Sequence, residues 1–166
     1  MLARERRAEI YSRRGDYDGV VADYSSLIRL FPDHVDRYRY RILMASGYMS
    51  MRNFDLARTE FMSLVNDESV PRRIRAQAIF AVAESYFLDD KPKRAMKYYE
   101  ILLARYPNFE LKGEARLHMA TCMEEMGKLG RARELTVQSR EDFDNEQVIE
   151  TRLKEINEKG TKRMDK

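Results

Sequence analysis

The chain has 166 residues, 43% of them hydrophobic, and its 31 basic and 28 acidic side chains leave a net charge of only +3. That length suits one domain with a continuous core, and the near-balance of charge excludes a strongly basic nucleic-acid binder. No run reaches the roughly 18 to 20 apolar residues that cross a bilayer, and Cys122, the single cysteine, excludes an internal disulfide.

Few Gly and Pro, with abundant Ala, Leu, Met, Arg and Glu, favour helix throughout. The opening MLARERRAEIY has no apolar core, so it is not read as a signal peptide. Leu2 to Arg13 instead predicts a first helix, and whether Met1 is the native start, or follows a removed leader or anchor, stays open. Ala8 and Tyr11 lie on that helix; after the turn RRGDY come Val20 and Tyr24, and Pro32 closes the unit. The offsets then recur. Ala45, Tyr48, the turn SMRNF, Ala57 and Phe61 lead to Pro71; Ala83, Tyr86, LDDKP, Ala95 and Tyr99 lead to Pro107. A degenerate fourth copy keeps Ala120, Gly127 and Ala132 but has Met123 and Thr136 in place of the aromatics.

Val20, Ala57, Ala95 and Ala132 are spaced 37, 38 and 37 residues apart, a period that marks stacked repeats. Ile79, Val82, Ala83 and Tyr86 recur at i, i+3, i+4 and i+7, one stripe of a helix. Gly, Asp, Asn and Pro in the interruptions suit turns and caps, with Asp89 and Asp90 read as caps. Each unit is therefore predicted to be a helical hairpin. Its Ala residues, Ala57, Ala83, Ala95 and Ala120 above all, are expected at close helix crossings. Beyond the fourth copy, Ile149, Leu153 and Ile156 predict an end helix near 145–158, capped by Asp144 or Asn145 and stopped at Lys159-Gly160, with the remainder disordered.

Small and aromatic residues at these offsets with a closing Pro resemble the tetratricopeptide repeat. The resemblance implies an all-α, right-handed superhelix of four hairpins, at about 2–33, 36–70, 72–108 and 111–142, then a capping helix over 143–159 and a disordered tail over 160–166. Departures are Arg41 where the family often has Trp, missing Gly in the second and third turns, and the aromatic-poor fourth copy. The closing segments RLFPDHVDRYRY and ARYPNFELKGEAR also resemble bacterial envelope relatives, the β-barrel assembly lipoprotein and the Tol-Pal coordinator. A periplasmic or outer-membrane-associated location follows if a leader was removed, and a cytoplasmic one otherwise.

Catalytic chemistry finds no foothold in the sequence. His34 and His118 are far apart without a second ligand at helical spacing, so no metal is expected. Cys122 sits mid-helix beside Met119 and Met123 and reads as packing, and no phosphate loop, nucleophile elbow or dinucleotide fingerprint occurs. Catalytic, cofactor and metal residues are all read as none. The resemblance implies instead that the first helix of each hairpin presents Leu2, Glu5, Glu9 and Ser12, then Arg39, Ile42, Ser46 and Met49, then Gln77, Phe80, Glu84 and Phe87, then Glu114, Leu117, Thr121 and Glu124 to a concave groove. A protein or peptide partner is expected on Arg39, Ile42, Met49, Arg73, Phe80, Phe87 and Leu117, the apolar members as anchors and Arg39 and Arg73 orienting acidic groups.

Glu5 and Glu9 stand where chaperone-binding relatives carry a cationic clamp, which disfavours that role and suits an apolar or basic peptide. Two alternatives stay open: a cytoplasmic regulatory domain, and a nucleic-acid binder using Arg37, Arg39, Arg41, Arg72, Arg73 and Arg75. The second is disfavoured by the near-neutral charge. Membrane association is expected only through a removed anchor or a partner. Oligomeric state is not legible.

Overall fold

The structure, a computed structural model, describes residues 1–142 and 145–164, without the side chains of 162–164. Among the described residues it is helical with no strand: α1 Leu2–Arg14, α2 Tyr17–Leu30, α3 Arg37–Ser50, α4 Phe54–Asn66, α5 Arg72–Leu88, α6 Pro92–Arg105, α7 Lys112–Glu125, α8 Leu129–Ser139 and α9 Glu146–Met164, with a single 3₁₀ turn at Arg140–Asp142. It divides into two compact units, Met1–Ser85 and Tyr86–Lys166, the boundary falling inside α5.

The four hairpin turns share one device. Gly15 and Gly127 adopt the left-handed conformation at φ 74° and 77°, and Arg52 and Asp90 adopt it at 59° and 54°. The four positions are spaced 37, 38 and 37 residues apart, like the anchors. Two turns thus keep the repeat geometry without glycine, at a steric cost of about 1 kcal/mol each. Asp90 is consequently the turn residue itself and Asp89 pairs with Lys91 at 2.6 Å, so neither caps α6 as the sequence suggests.

In the first unit α2 packs against both α1 and α3. Ala8, Val20, Tyr24, Leu27, Tyr40 and Met44 form a buried cluster, and the Tyr24 and Tyr40 rings stack 5.9 Å apart. Close approach of α3 to α2 depends on Gly47, where a Cβ would lie 2.9 Å from Val21 Cγ2. Ala57, Ala83, Ala95 and Ala120 are each 0% exposed, as crossing-point alanines must be. Arg41 replaces an aromatic by laying its stem along the hairpin and reaching Glu60 at 3.6 Å and the Ser63 hydroxyl.

In the second unit α7 packs against α6 and α8, and α8 against α9. Ile149 and Ile156 of α9 are buried. The end helix does not stop at Lys159-Gly160 but continues to Met164, so of the tail expected to be disordered over 160–166, residues 160–164 are helical, while 165–166 lie outside the described residues. A mid-helix Gly costs about 1 kcal/mol. Lys159 is anchored to Glu124 at 2.7 Å and Gly160 rests near Leu129, and this packing overrides the local stop signal. Asn145 Oδ1 accepts from the Val148 amide at 3.3 Å, whereas Asp144, the other cap candidate, lies outside the described residues.

Candidate functional site

Among the described residues no helix is long and apolar enough to cross a membrane, and no group of three or more His, Cys, Asp and Glu converges as a metal site. Cys122 is buried, and burial pushes its thiol up to about 12. His118 stacks on Phe87 with centroids 5.3 Å apart, its Nδ1 lies 2.8 Å from the Tyr99 hydroxyl, and burial holds it below the ordinary histidine range. His34 precedes α3, accepts from the Asp36 amide at 3.2 Å and stacks on Tyr40. Each of these groups is engaged by its neighbours in the packing.

The first unit contains a cleft of about 290 Å³ between α1 and α3, floored by Tyr17, Val20 and Tyr24 of α2. Glu9, Ser12 and Arg13 line one wall, and Arg39, Leu43, Ser46, Gly47 and Ser50 the other. Hairpin geometry opens it: α2 lies behind both first helices, so side chains of α1 and α3 that turn away from α2 face each other. Tyr24 at the floor is pushed above the ordinary phenol range, first by burial; the nearby charges of Arg39 and Glu9 act on it in opposite directions.

The α1 wall is fixed from beneath. Asp23 of α2 is 2% exposed and receives Arg7 in a two-toothed contact, Nε to Oδ2 at 2.7 Å and Nη2 to Oδ1 at 2.5 Å, with Arg4 at 3.5 Å. The Tyr40 hydroxyl of α3 donates to Glu5 of α1. Burial, then the bond to Glu5, raises the Tyr40 phenol well above its ordinary range. Nothing in the linear sequence pairs 7 with 23 or 5 with 40, so this network was invisible to it.

The Arg7 guanidinium holds the Asp23 carboxyl below the ordinary carboxylate range. A depressed folded-state pKa gives stability that is present above the unfolded-state value of about 4 and is lost as pH falls through the folded one. Asp23→Asn is therefore expected to lower the melting temperature at pH 7 and to narrow its gap to the parent below pH 4. A constant gap across that range, by calorimetry, would remove Asp23 from the acid response.

The other expected contacts divide. Arg39 is exposed, Ile42 and Met49 are half-buried on α3, and Arg73 is exposed on α5 though not free of partners. Phe80 is 7% exposed and belongs to the core, which corrects its placement as an open anchor; its stripe on α5 carries Ala76, Ile79 and Ala83, all buried. Phe87 is half-buried against His118, and Leu117 is half-buried. Thr121 and Glu124 are taken by α9: Arg152 donates to the Thr121 hydroxyl at 2.8 Å and pairs with Glu124, which Lys159 also holds. Of the arginine cluster, Arg37 lies over the Tyr38 ring at 4.2 Å, Arg41 is paired, and Arg72 and Arg73 are engaged.

Residues 77–108 match the family model described as tetratricopeptide repeat. No curated protein sequence matches the chain. Two solved structures share the whole-chain fold. The first, "Crystal structure of MamA protein", has a TM-score of 0.70 at 15% identity, covering 99% of this chain and 84% of that one. The second, the Podosopora anserina putative kinesin light chain with nearly identical TPR-like repeats, has 0.76 at 13% identity, covering 99% and 88%. At these identities the likeness establishes the tetratricopeptide solenoid fold and nothing further. That fold generally serves as a non-catalytic scaffold for protein interaction.

Proposed function

We propose that the protein is a non-catalytic adaptor that holds a partner polypeptide against the faces of its first helices. The observation that carries this reading is the α1–α3 cleft, the open concave feature those helices form in the first unit, lined by polar and charged side chains over an aromatic floor. Arg39 lines that cleft, and Arg is among the residue types that concentrate binding energy; Ile42 and Met49, half-buried on α3 outside the cleft lining, are proposed as neighbouring apolar contacts. Arg73, and in the second unit Phe87 and Leu117, are further proposed contacts. A place in bacterial envelope assembly is supported only by the resemblance of the closing segments, and fractionation of the native host would test it.

Peptides selected on the protein by phage display are expected to shift amide resonances along α1 and α3. Arg39→Ala with Ile42→Ala should weaken them by about 2 kcal/mol, leaving helicity unchanged. Shifts confined to α2 and α4, or binding indifferent to the double substitution, would overturn the proposal.

A further inference from the structure

The cleft holds a set of polar groups that the rest of the chain does not use. Arg4 and Arg7 spend their charge on Asp23, Arg41 on Glu60 and Arg58 on Asp55. Among the described residues Arg13 and Arg39 have no carboxylate partner. Several helical hydroxyls are likewise occupied. Ser63, Ser85, Ser139, Thr59 and Thr136 all bond back to a carbonyl of the preceding turn. Ser12, Ser46 and Ser50 make no such bond among the described residues, and all three line the cleft. Glu5, which the sequence put in the same groove with negative sign, is turned onto the Tyr40 hydroxyl. The cleft therefore carries Arg13 and Arg39 against Glu9 alone, which reverses the balance of charge from which the sequence suggested a basic peptide.

Resting on the reading that this face binds a polypeptide, we infer that the α1–α3 cleft seats an extended acidic peptide segment, one of its carboxylates taken by Arg39 at one end of the cleft and another by Arg13 at the other. Guanidinium groups bind carboxylates through paired, charge-assisted hydrogen bonds. Glu9, an acceptor only, takes a backbone N–H of the same segment, and the serine hydroxyls adapt to either partner. Size suits a side chain and its flanking backbone better than a whole small molecule: about 290 Å³ lies just below the roughly 300–1,000 Å³ of ligand pockets. The sign of Glu9 selects a carboxylate over a phosphate dianion, which it would repel more strongly. Nucleic acid would need a longer track of cations than two.

The test uses the full chain and three fluorescein-labelled decapeptides of alternating Leu with Glu, Gln or phosphoserine, followed by anisotropy. The Glu peptide is expected to bind about tenfold tighter than the Gln peptide, and Arg13→Gln with Arg39→Gln should erase that difference while leaving helicity unchanged. Arg39→Lys, which keeps the charge but loses the fork, should retain only part of it. Glu9→Gln should raise phosphoserine-peptide binding. Equal binding of the Glu and Gln peptides, an acid preference that survives the double substitution, or phosphoserine preferred with Glu9 intact would each overturn the inference. If the Gln peptide alone still shifts α1 and α3 amides, the acidic chemistry fails and the adaptor reading stands; if every peptide shifts only α2 and α4, both fail.

Discussion

Phe80→Ala is expected to lower the melting temperature by roughly 6–12 °C, the equivalent of about 3 kcal/mol in a chain of this size. The ring is 7% exposed and shares α5 with Ile79, Val82 and Ala83, which are at most 1% exposed, so its removal leaves a cavity that these neighbours cannot fill by rotation. Phe87→Ala is expected to behave differently. That ring is half-buried and its stacking partner is His118, so the loss should be nearer 1 kcal/mol, with the His118 titration moving back toward the ordinary range as water reaches the imidazole. Thermal melts of the two single variants, with NMR titration of His118, separate the rings. If Phe80→Ala melts with the parent, the residue is an exposed anchor after all and the burial argument is wrong.

The two rings show where sequence reading succeeds and where it stops. Small and aromatic residues at fixed offsets are legible because each hairpin must solve the same packing problem: Ala8, Ala45, Ala83 and Ala120 are all 0% exposed. The offset rule gives a helix face but not the neighbours of that face. It therefore puts Phe80 and Phe87 together, although one is core and the other half-open. Turns at Arg52 and Asp90 carry no glycine signal, and their left-handed backbone follows only from the period. The Arg7–Asp23 and Glu5–Tyr40 contacts depend on how two helices cross, which no local pattern encodes. The cleft was half-legible. Arg39, Glu9, Ser12 and Ser46 came from the offsets, whereas Arg13, Leu43 and Ser50 came only from the fold.

Deleting residues 146–166 is expected to cost at least as much as the loss of a core ring, and its effect can be divided between two causes. Ile149 and Ile156 are 0% and 2% exposed, and removing two such side chains from their burial costs roughly 3–6 kcal/mol of hydrophobic free energy. The second cause is electrostatic. Glu124 is 7% exposed and is held by Arg152 and by Lys159 at 2.7 Å, both on α9. Truncation removes both cations but also opens Glu124 to water, so its charge is then hydrated and adds little to the loss. Arg152→Met with Lys159→Met keeps the helix and strands the carboxylate beneath it, for which about 3 kcal/mol is expected. Adding Glu124→Gln to that pair should return a large part, because the orphaned charge is gone. The truncated chain should also self-associate as the apolar face of α8 and α7 becomes exposed, seen by light scattering. Truncation that leaves melting and monodispersity unchanged would show that α9 does not cap the second unit, and a triple variant no more stable than the double would show that Glu124 is not what the two cations are there to hold.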